Sequence, residues 1–330
     1  MAKTIKVGIM GWGNIGKGVK EAIEITSDMQ LVSVFTRRDP AQVGAGESQT
    51  TFLSADQVEE YVNDIDVMIL CGGSATDLPE QGPYYARLFN TVDSYDNHDK
   101  IPEYFDSVNK AAMENGKTAA ISIGWDPGLF SLNRMIAEAV LPEGNDYTFW
   151  GKGVSQGHSD AVRRVPGVKY GVQYTIPKED AVESVRNGEN PSLSAKERHV
   201  RECYVVAEEG ADKNKIEEEI KNMPNYFADY ETSVYFITEE ELAKEHGGIP
   251  HGGFVIRSGK TGSTNPKNQI VEFALKLDSN PEFTSSVLVT YARAVHRLNQ
   301  EGKAGAFTIF DIAPVYLSTR TPENMREELL

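Results

Sequence analysis

Two aspartates stand where an amine could be held. Asp96 lies in Val92-Asp93-Ser94-Tyr95-Asp96-Asn97-His98 and Asp126 in Gly124-Trp125-Asp126-Pro127-Gly128, each just past a short apolar run. Carboxylates converging from adjacent strand ends would make a subsite for an ammonium group. The same residues suit Asx turns or the cap of a following helix, and residue type alone leaves both readings open. A second constellation lies near the N-terminus. Gly11-Trp12-Gly13-Asn14-Ile15-Gly16 sits between an apolar run and a helical pattern, the context in which G-x-G-x-x-G reads as a dinucleotide fingerprint. Gly11 permits the tight turn, Gly13 lets a pyrophosphate approach the backbone, and Gly16 allows close helix packing. The amide ends of the opening turn, at Asn14 and Ile15, would face that pyrophosphate.

The next strand pattern ends in Thr36-Arg37-Arg38, with no acidic residue before Asp39. An NAD site usually places a carboxylate there for the ribose 2′-hydroxyl. A hydroxyl and two guanidiniums suit a 2′-phosphate instead, which makes NADP the expected cofactor. Asp39 reaching the ribose would bring NAD back. Cys71-Gly72-Gly73-Ser74-Ala75-Thr76-Asp77 adds small residues that let the backbone pass a ring or phosphate. Ser74 and Thr76 can bond ribose or amide groups there, while Asp77 suits a helix cap ahead of Leu78-Pro79.

These groups need a scaffold. The first 125 residues alternate between strand patterns at 5–10, 31–35, 65–71, 91–94 and 119–123 and helical patterns at 11–24, 55–62 and 104–114. Near-continuous apolar strands between helices predict a parallel sheet covered on both faces, with ligands at its carboxyl edge. Beyond residue 128 the pattern gives a helix at 129–140 and strands at 147–150, 168–176, 202–206 and 233–237. The acidic stretches Glu217-Glu218-Glu219 and Glu239-Glu240-Glu241 read as mobile. A helix at 282–300 and a strand-like run at 306–312 close the chain. The expected class is α/β: a Rossmann-type domain over 1–125, a mixed α+β region over 126–281, and a segment at 282–330 packing back on the first domain.

Composition narrows the function. With 33 Lys and Arg against 49 Asp and Glu, the net charge of −16 argues against a general nucleic-acid binder. Cys71 and Cys203 cannot build a disulfide framework, and no Cys-x-x-Cys is present. Six histidines without ligand spacing give no reason to expect a metal. Gly253 to Thr261 approaches a phosphate loop but has five residues, not four, before its Gly-Lys-Thr. No basic leader precedes an apolar run, and no membrane-length apolar stretch occurs, so a cytoplasmic protein with no membrane partner is expected.

The motifs together closely resemble the meso-diaminopimelate dehydrogenase family of bacterial NADP-dependent amino acid dehydrogenases. The glycine, arginine and aspartate blocks carry the resemblance. It continues in Ser155-Gln156-Gly157-His158-Ser159-Asp160, Arg163-Arg164-Val165-Pro166-Gly167, Gln173-Tyr174-Thr175, Pro250-His251-Gly252-Gly253 and Asn280-Pro281-Glu282-Phe283-Thr284. The resemblance implies reversible oxidative deamination of the D centre of meso-2,6-diaminopimelate, with ammonia as product, in lysine and cell-wall precursor synthesis. It places Asp96 and Asp126 at the reacting amino end, with Trp125 beside them and Trp150 also in contact with substrate. Gln156 and Gly157, in a loop over the cleft, would touch the diacid, and Thr175, Arg201, His251 and Asn280 would hold the non-reacting L end. Residues 126–281 then become a substrate-binding and dimerisation region, and the expected assembly is a homodimer or a larger homo-oligomer. The competing readings are another NADP-dependent reductase of amino acid biosynthesis and a non-catalytic dinucleotide sensor.

Overall fold

The computed structural model describes residues 4–330. The chain divides into two compact units, one running to Leu132 and resuming from Pro281 to Leu330, the other Asn133–Asn280. In the first unit six strands alternate with helices: β1 (Ile5–Met10), β2 (Met29–Thr36), β3 (Phe52–Ser54), β4 (Val67–Leu70), β5 (Asn90–Asp93) and β6 (Thr118–Ala120). They pair in parallel in the order β6-β5-β4-β1-β2-β3, and Gly305–Phe307 adds a seventh strand beside β6. β1 is buried along nearly its whole length, as a sheet covered on both faces requires. It also lies where the strand order reverses, which opens a crevice at the carboxyl edge.

The C-terminal segment belongs to this unit. Leu288, Tyr291, Ala292 and Val295 share one apolar core with Ile5, Val7, Ile9 and Val19. Arg293 grips Asp28 through two bonds, Nε to Oδ2 at 2.7 Å and Nη2 to Oδ1 at 2.8 Å, ahead of β2. The apolar run at 306–312 is a strand only at Gly305–Phe307. Thr308 then bonds Asp311 Oδ2 through both its N–H and its hydroxyl, and the resulting turn still buries Ile309 and Ile312.

The second unit holds two sheets. Its strands are β7 (Gly144–Trp150), β8 (Gly153–Val154), β9 (Val168–Pro177), β10 (His199–Ala207), β11 (Glu231–Phe236), β12 (His251–Thr261) and β13 (Lys267–Leu277). One sheet has the order β11-β10-β9-β8 and the other β13-β12-β7. The β12–β13 hairpin is absent from the sequence reading, because β13 is exposed over most of its length and shows no buried face.

The acidic stretches are helices, not mobile segments. Glu217 to Glu219 lie in Lys213–Lys221, which buries Ile216 and Ile220 one turn apart and is capped by Asp212. Glu239 to Glu241 open Glu239–Glu245 behind a Thr238–Glu241 capping box. Among the described residues no helix is long and apolar enough to cross a membrane.

Candidate active site

The fingerprint is built at the end of β1. Gly11 turns the chain at φ +102°, and its N–H donates to the Phe35 carbonyl at the end of β2 at 2.8 Å. A Cβ on Gly16 would lie 2.2 Å from the Gly11 oxygen, so the helix Asn14–Glu24 can start this close only with glycine there. Gly13 is different. A Cβ on it would meet nothing within 4 Å, and no side chain caps the helix behind it. The amides of Asn14 and Ile15 thus face open space that admits an anion, and these residues fit a dinucleotide pyrophosphate.

The Thr36-Arg37-Arg38 turn forms a built corner. Thr36 is buried, and its hydroxyl accepts from the Arg38 N–H at 3.1 Å. Arg38 Nη2 donates to the Trp12 carbonyl at 2.5 Å, which ties this guanidinium to the fingerprint. Arg37 Nη2 meets Asp77 Oδ1 at 2.6 Å, and Asp77 Oδ2 accepts from the Gly73 N–H at 2.9 Å. Asp77 therefore makes no cap with its side chain; it joins the Cys71–Thr76 loop to Arg37. Asp39 caps the short helix Pro40–Val43 through the Ala41 N–H. Beside Arg37 a groove runs past Thr76, Glu80, Gln81, Tyr84 and Tyr85, and neither tyrosine was singled out from sequence. Gly72 is half-buried and Ala75 exposed in the same loop. Burial pushes the Cys71 thiol far above its ordinary range, so it stays protonated.

The two candidate amine ligands sit on neighbouring strand ends. Asp96 follows β5 and Asp126 follows β6, and these strands pair in parallel. The Ser74 hydroxyl accepts from the Asp96 N–H at 2.8 Å, which links the dinucleotide loop to the first aspartate. Around Asp126 the chain folds into a tight turn, with a bridge from Trp125 to Gly128 and a bond from the Phe130 N–H to the Trp125 carbonyl at 2.7 Å. Trp125 is buried edge-on against Phe130.

In the second unit β9 and β10 set Thr175 directly opposite Arg201, and β8 sets Gly153 opposite Thr175 on the other side. Arg201 Nη1 donates to Thr175 Oγ1, and the guanidinium lies over the Tyr230 ring at 4.1 Å. Arg201 is only 7% exposed, its Nε has no partner, and no described carboxylate pairs with it. His251 opens β12 with its ring against Gly153. Its Nδ1 lies 2.8 Å from the Gly252 N–H and 3.1 Å from the Gly252 carbonyl, which fixes the ring against the backbone at the start of β12. The Asn280 N–H donates to the Ile249 carbonyl at 3.0 Å and the Val154 N–H to the Pro250 carbonyl at 2.8 Å, so this group is tied to both Asn280 and β8.

Trp150 ends β7, stacks on His199 at 5.5 Å, and donates its N–H to His199 Nε2 at 2.9 Å. Gln156 and Gly157 do not form a loop; they begin the helix Gln156–Arg163, which Ser155 caps. The second unit thus gathers all seven of its predicted residues around β8, β9, β10 and the start of β12. Sequence reasoning missed Tyr230, His199 and Gln173. Gln173 was legible, since it lies two residues from Thr175 on the same strand face and its Nε2 reaches Thr175 Oγ1 at 3.5 Å.

His199 gives a measurable consequence. Burial, helped by Arg201, lowers its pKa from 6.5 to about 4, and protonation would turn the acceptor for Trp150 into a second donor. A histidine depressed in the fold contributes stability that is complete above its unfolded pKa and is lost as pH falls toward the folded one. His199 should therefore remove roughly 3 kcal/mol of stability as the pH drops from 6.5 to 4. Urea unfolding of a His199→Gln variant should show that limb flattened by this amount. An unchanged limb would place the acid sensitivity elsewhere.

The profile of the diaminopimelic acid dehydrogenase C-terminal domain matches residues 124–279. The meso-diaminopimelate D-dehydrogenase of Ureibacillus thermosphaericus is 63% identical over 326 residues, covering 99% of each chain. The chain belongs to the meso-diaminopimelate dehydrogenase family. Two solved structures carry the likeness into three dimensions. The Corynebacterium glutamicum diaminopimelate dehydrogenase in complex with diaminopimelate superposes with a TM-score of 0.91 at 46% identity, covering 99% of this chain and all of that one. An engineered D-amino acid dehydrogenase bound to NADP+ superposes at 0.86 with 45% identity and the same coverage. The parallel sheet with its second, mixed unit is thus the dehydrogenase architecture expected from the sequence.

Proposed function

We propose that this enzyme catalyses the reversible NADP-dependent oxidative deamination of the D centre of meso-2,6-diaminopimelate to L-2-amino-6-oxopimelate and ammonia. Membership of the dehydrogenase family gives the reaction class. The observation that carries the substrate is Arg201. A guanidinium this buried is normally paired with an acid, and here, among the described residues, the Thr175 hydroxyl and the Tyr230 side chain accompany it with no carboxylate. A substrate carboxylate completes the set, with Thr175 Oγ1 and the His251 imidazole as neighbouring polar groups and Asn280, Trp150, Gln156 and Gly157 completing the enclosure of that end.

At the reacting end Asp96 and Asp126 take the ammonium group. They orient the α-carbon and neutralise the charge while the nitrogen gives up its proton, which must leave before the lone pair can assist C–H cleavage. Trp125 shapes the apolar side of that corner. Gly11, Gly13, Asn14, Ile15 and Gly16 would hold the pyrophosphate of NADP, Thr36, Arg37 and Arg38 its 2′-phosphate, and Cys71, Gly72, Ser74, Ala75 and Thr76 the remaining edge. When bound, NADP+ supplies the hydride acceptor. Water then adds to the iminium carbon of the oxidised substrate and ammonia departs, leaving the oxo acid.

Stereochemistry follows from the two unlike ends. An ammonium held by Asp96 and Asp126 presents one α-carbon for reaction, so only placement distinguishes the D from the L centre. NADPH formation with the meso, LL and DD isomers tests the proposal. The meso compound should exceed the LL compound by at least about 10²-fold in kcat/KM, because LL has no D centre to present. Equal turnover of both would overturn it.

The resemblance also implies a homodimer built through the second unit, and the edge strand β13, with Ile270 and Val271 exposed, offers such a surface. Cys71 and Cys203 are free thiols, as a reducing cytoplasm permits.

A further inference from the structure

A buried carboxylate with no part in the proposed reaction ends β5. Asp93 is 1% exposed, and its side chain accepts three hydrogen bonds. Oδ1 takes the Tyr95 N–H at 3.0 Å and the Ser122 N–H at 3.1 Å, and Oδ2 takes the Tyr104 hydroxyl at 2.7 Å. Its own carbonyl accepts from the Ile123 N–H at 2.8 Å. Tyr95 immediately precedes Asp96, and Ser122 with Ile123 leads into Gly124-Trp125-Asp126. One residue therefore bonds both loops that carry the proposed amine ligands.

The anchor is itself fixed. Tyr104 lies on the helix Ile101–Glu114 and stacks on the Tyr95 ring at 4.1 Å, both rings being buried. Its hydroxyl reaches Asp93 only because residue 82 is glycine, where a Cβ would lie 2.0 Å from the hydroxyl oxygen. Ser122 adopts φ +56°, an uncommon conformation for a residue with a side chain, and the bond to Asp93 Oδ1 holds its amide there. Burial outweighs the three donors and raises the Asp93 carboxyl to about 6, still below neutrality, so near pH 7 it is an ionised acceptor. A scaffold position that needed only packing would be filled by an apolar residue. This one carries a charge in order to hold two backbone amides.

We propose that Asp93, anchored by Tyr104, is a positioning residue that sets the Asp96 and Asp126 loops in fixed register at the carboxyl edge of β5 and β6. The proposal rests on the reading of Asp96 and Asp126 as the amine site. Displacing a reacting group by about 1 Å can lower turnover on the order of 10²-fold. Asp93→Ala should thus lower kcat with meso-diaminopimelate by about 10- to 10²-fold, while the Kd for NADP+, read by tryptophan fluorescence, stays within about twofold. Asp93→Asn keeps an oxygen for the Tyr95 and Ser122 amides and should restore most of the lost kcat. Tyr104→Phe keeps the ring stack, removes only the anchor, and should lower kcat by a smaller factor, again without change in NADP+ affinity. It also decides the question if Asp93→Ala does not fold.

Unchanged kcat in Asp93→Ala and Tyr104→Phe would overturn the proposal. So would a parallel loss of NADP+ affinity, which marks general disorder, or an asparagine as poor as the alanine. The underlying reading fails separately. Full activity in an Asp96→Asn, Asp126→Asn double variant would remove the amine site itself, whereas an inactive double variant beside an unimpaired Asp93→Ala removes only the tether.

Discussion

Arg201→Met should lower kcat/KM for meso-diaminopimelate by about 10²-fold and leave the protein at least as stable as before. The two effects share one cause. In the free protein the guanidinium is buried against the Thr175 hydroxyl and the Tyr230 side chain with no described carboxylate, and its Nε has no partner. A buried charge without a counter-charge is destabilising, and methionine of similar length removes that burden while filling the space. On the proposed reading a bound diacid supplies the missing counter-charge. Charge-assisted bonds to a carboxylate contribute roughly 1.5–3 kcal/mol each, and a tenfold change corresponds to about 1.4 kcal/mol, so losing the clamp gives about two decades.

The informative quantity is a ratio: kcat/KM for meso-diaminopimelate over that for D-alanine, which has no distal carboxylate. It should fall by the same two decades. A ratio equal to the parent's would reject the clamp. A lower Tm in the variant would reject the account of Arg201 as an unpaired charge.

Arg38→Ala should cut the preference for NADP+ over NAD+ by about 10²-fold, and Arg37→Ala by much less. The two arginines are adjacent but differently employed. Arg38 is held on the Trp12 carbonyl, and its backbone N–H is bonded to buried Thr36. Its position is thus set by the fingerprint before any phosphate arrives, and a preorganised guanidinium loses little freedom on binding. Arg37 has a side chain 67% exposed and already satisfies Asp77. The charge it can offer a phosphate is screened by solvent and shared with that carboxylate. Comparing kcat/KM with both cofactors for the two single variants measures this asymmetry. Equal effects would show that the Asp77 pair opens when the cofactor binds.

Much of the first unit was legible because its chemistry is local. Gly11 to Gly16 form a contiguous motif with a strand before and a helix after, and Thr36-Arg37-Arg38 lies at a strand end that apolar runs mark clearly. Asp77 shows the limit. Its position ahead of Leu78-Pro79 has the local signature of a cap, but a partner 40 residues away, Arg37, takes the side chain instead. The second unit was harder to read for the same reason. Thr175 and Arg201 meet by strand register, and register is set by pairing partners that periodicity does not name. Tyr230 reaches Arg201 from outside the strands altogether, and Asp93, inside the strand pattern at 91–94, carries no local signal that sets it apart from Asp96. Charge alone suggests motion in the acidic stretches, but Ile216 and Ile220 one turn apart mark a buried face and hence a packed helix.

The path of the chain bears on how the molecule is made. The first unit is interrupted by Asn133–Asn280 and receives an edge strand and a long helix only from Pro281–Leu330. The Thr118 hydroxyl waits for the Lys303 carbonyl, 185 positions later, and the Ile15 carbonyl for Ser285, 270 positions later. During synthesis the inserted unit is complete on the nascent chain well before its host, contrary to the usual N-terminal-first order. The first unit is then the last part to mature, and a chain cut just short of residue 281 would carry a finished insert and an open sheet.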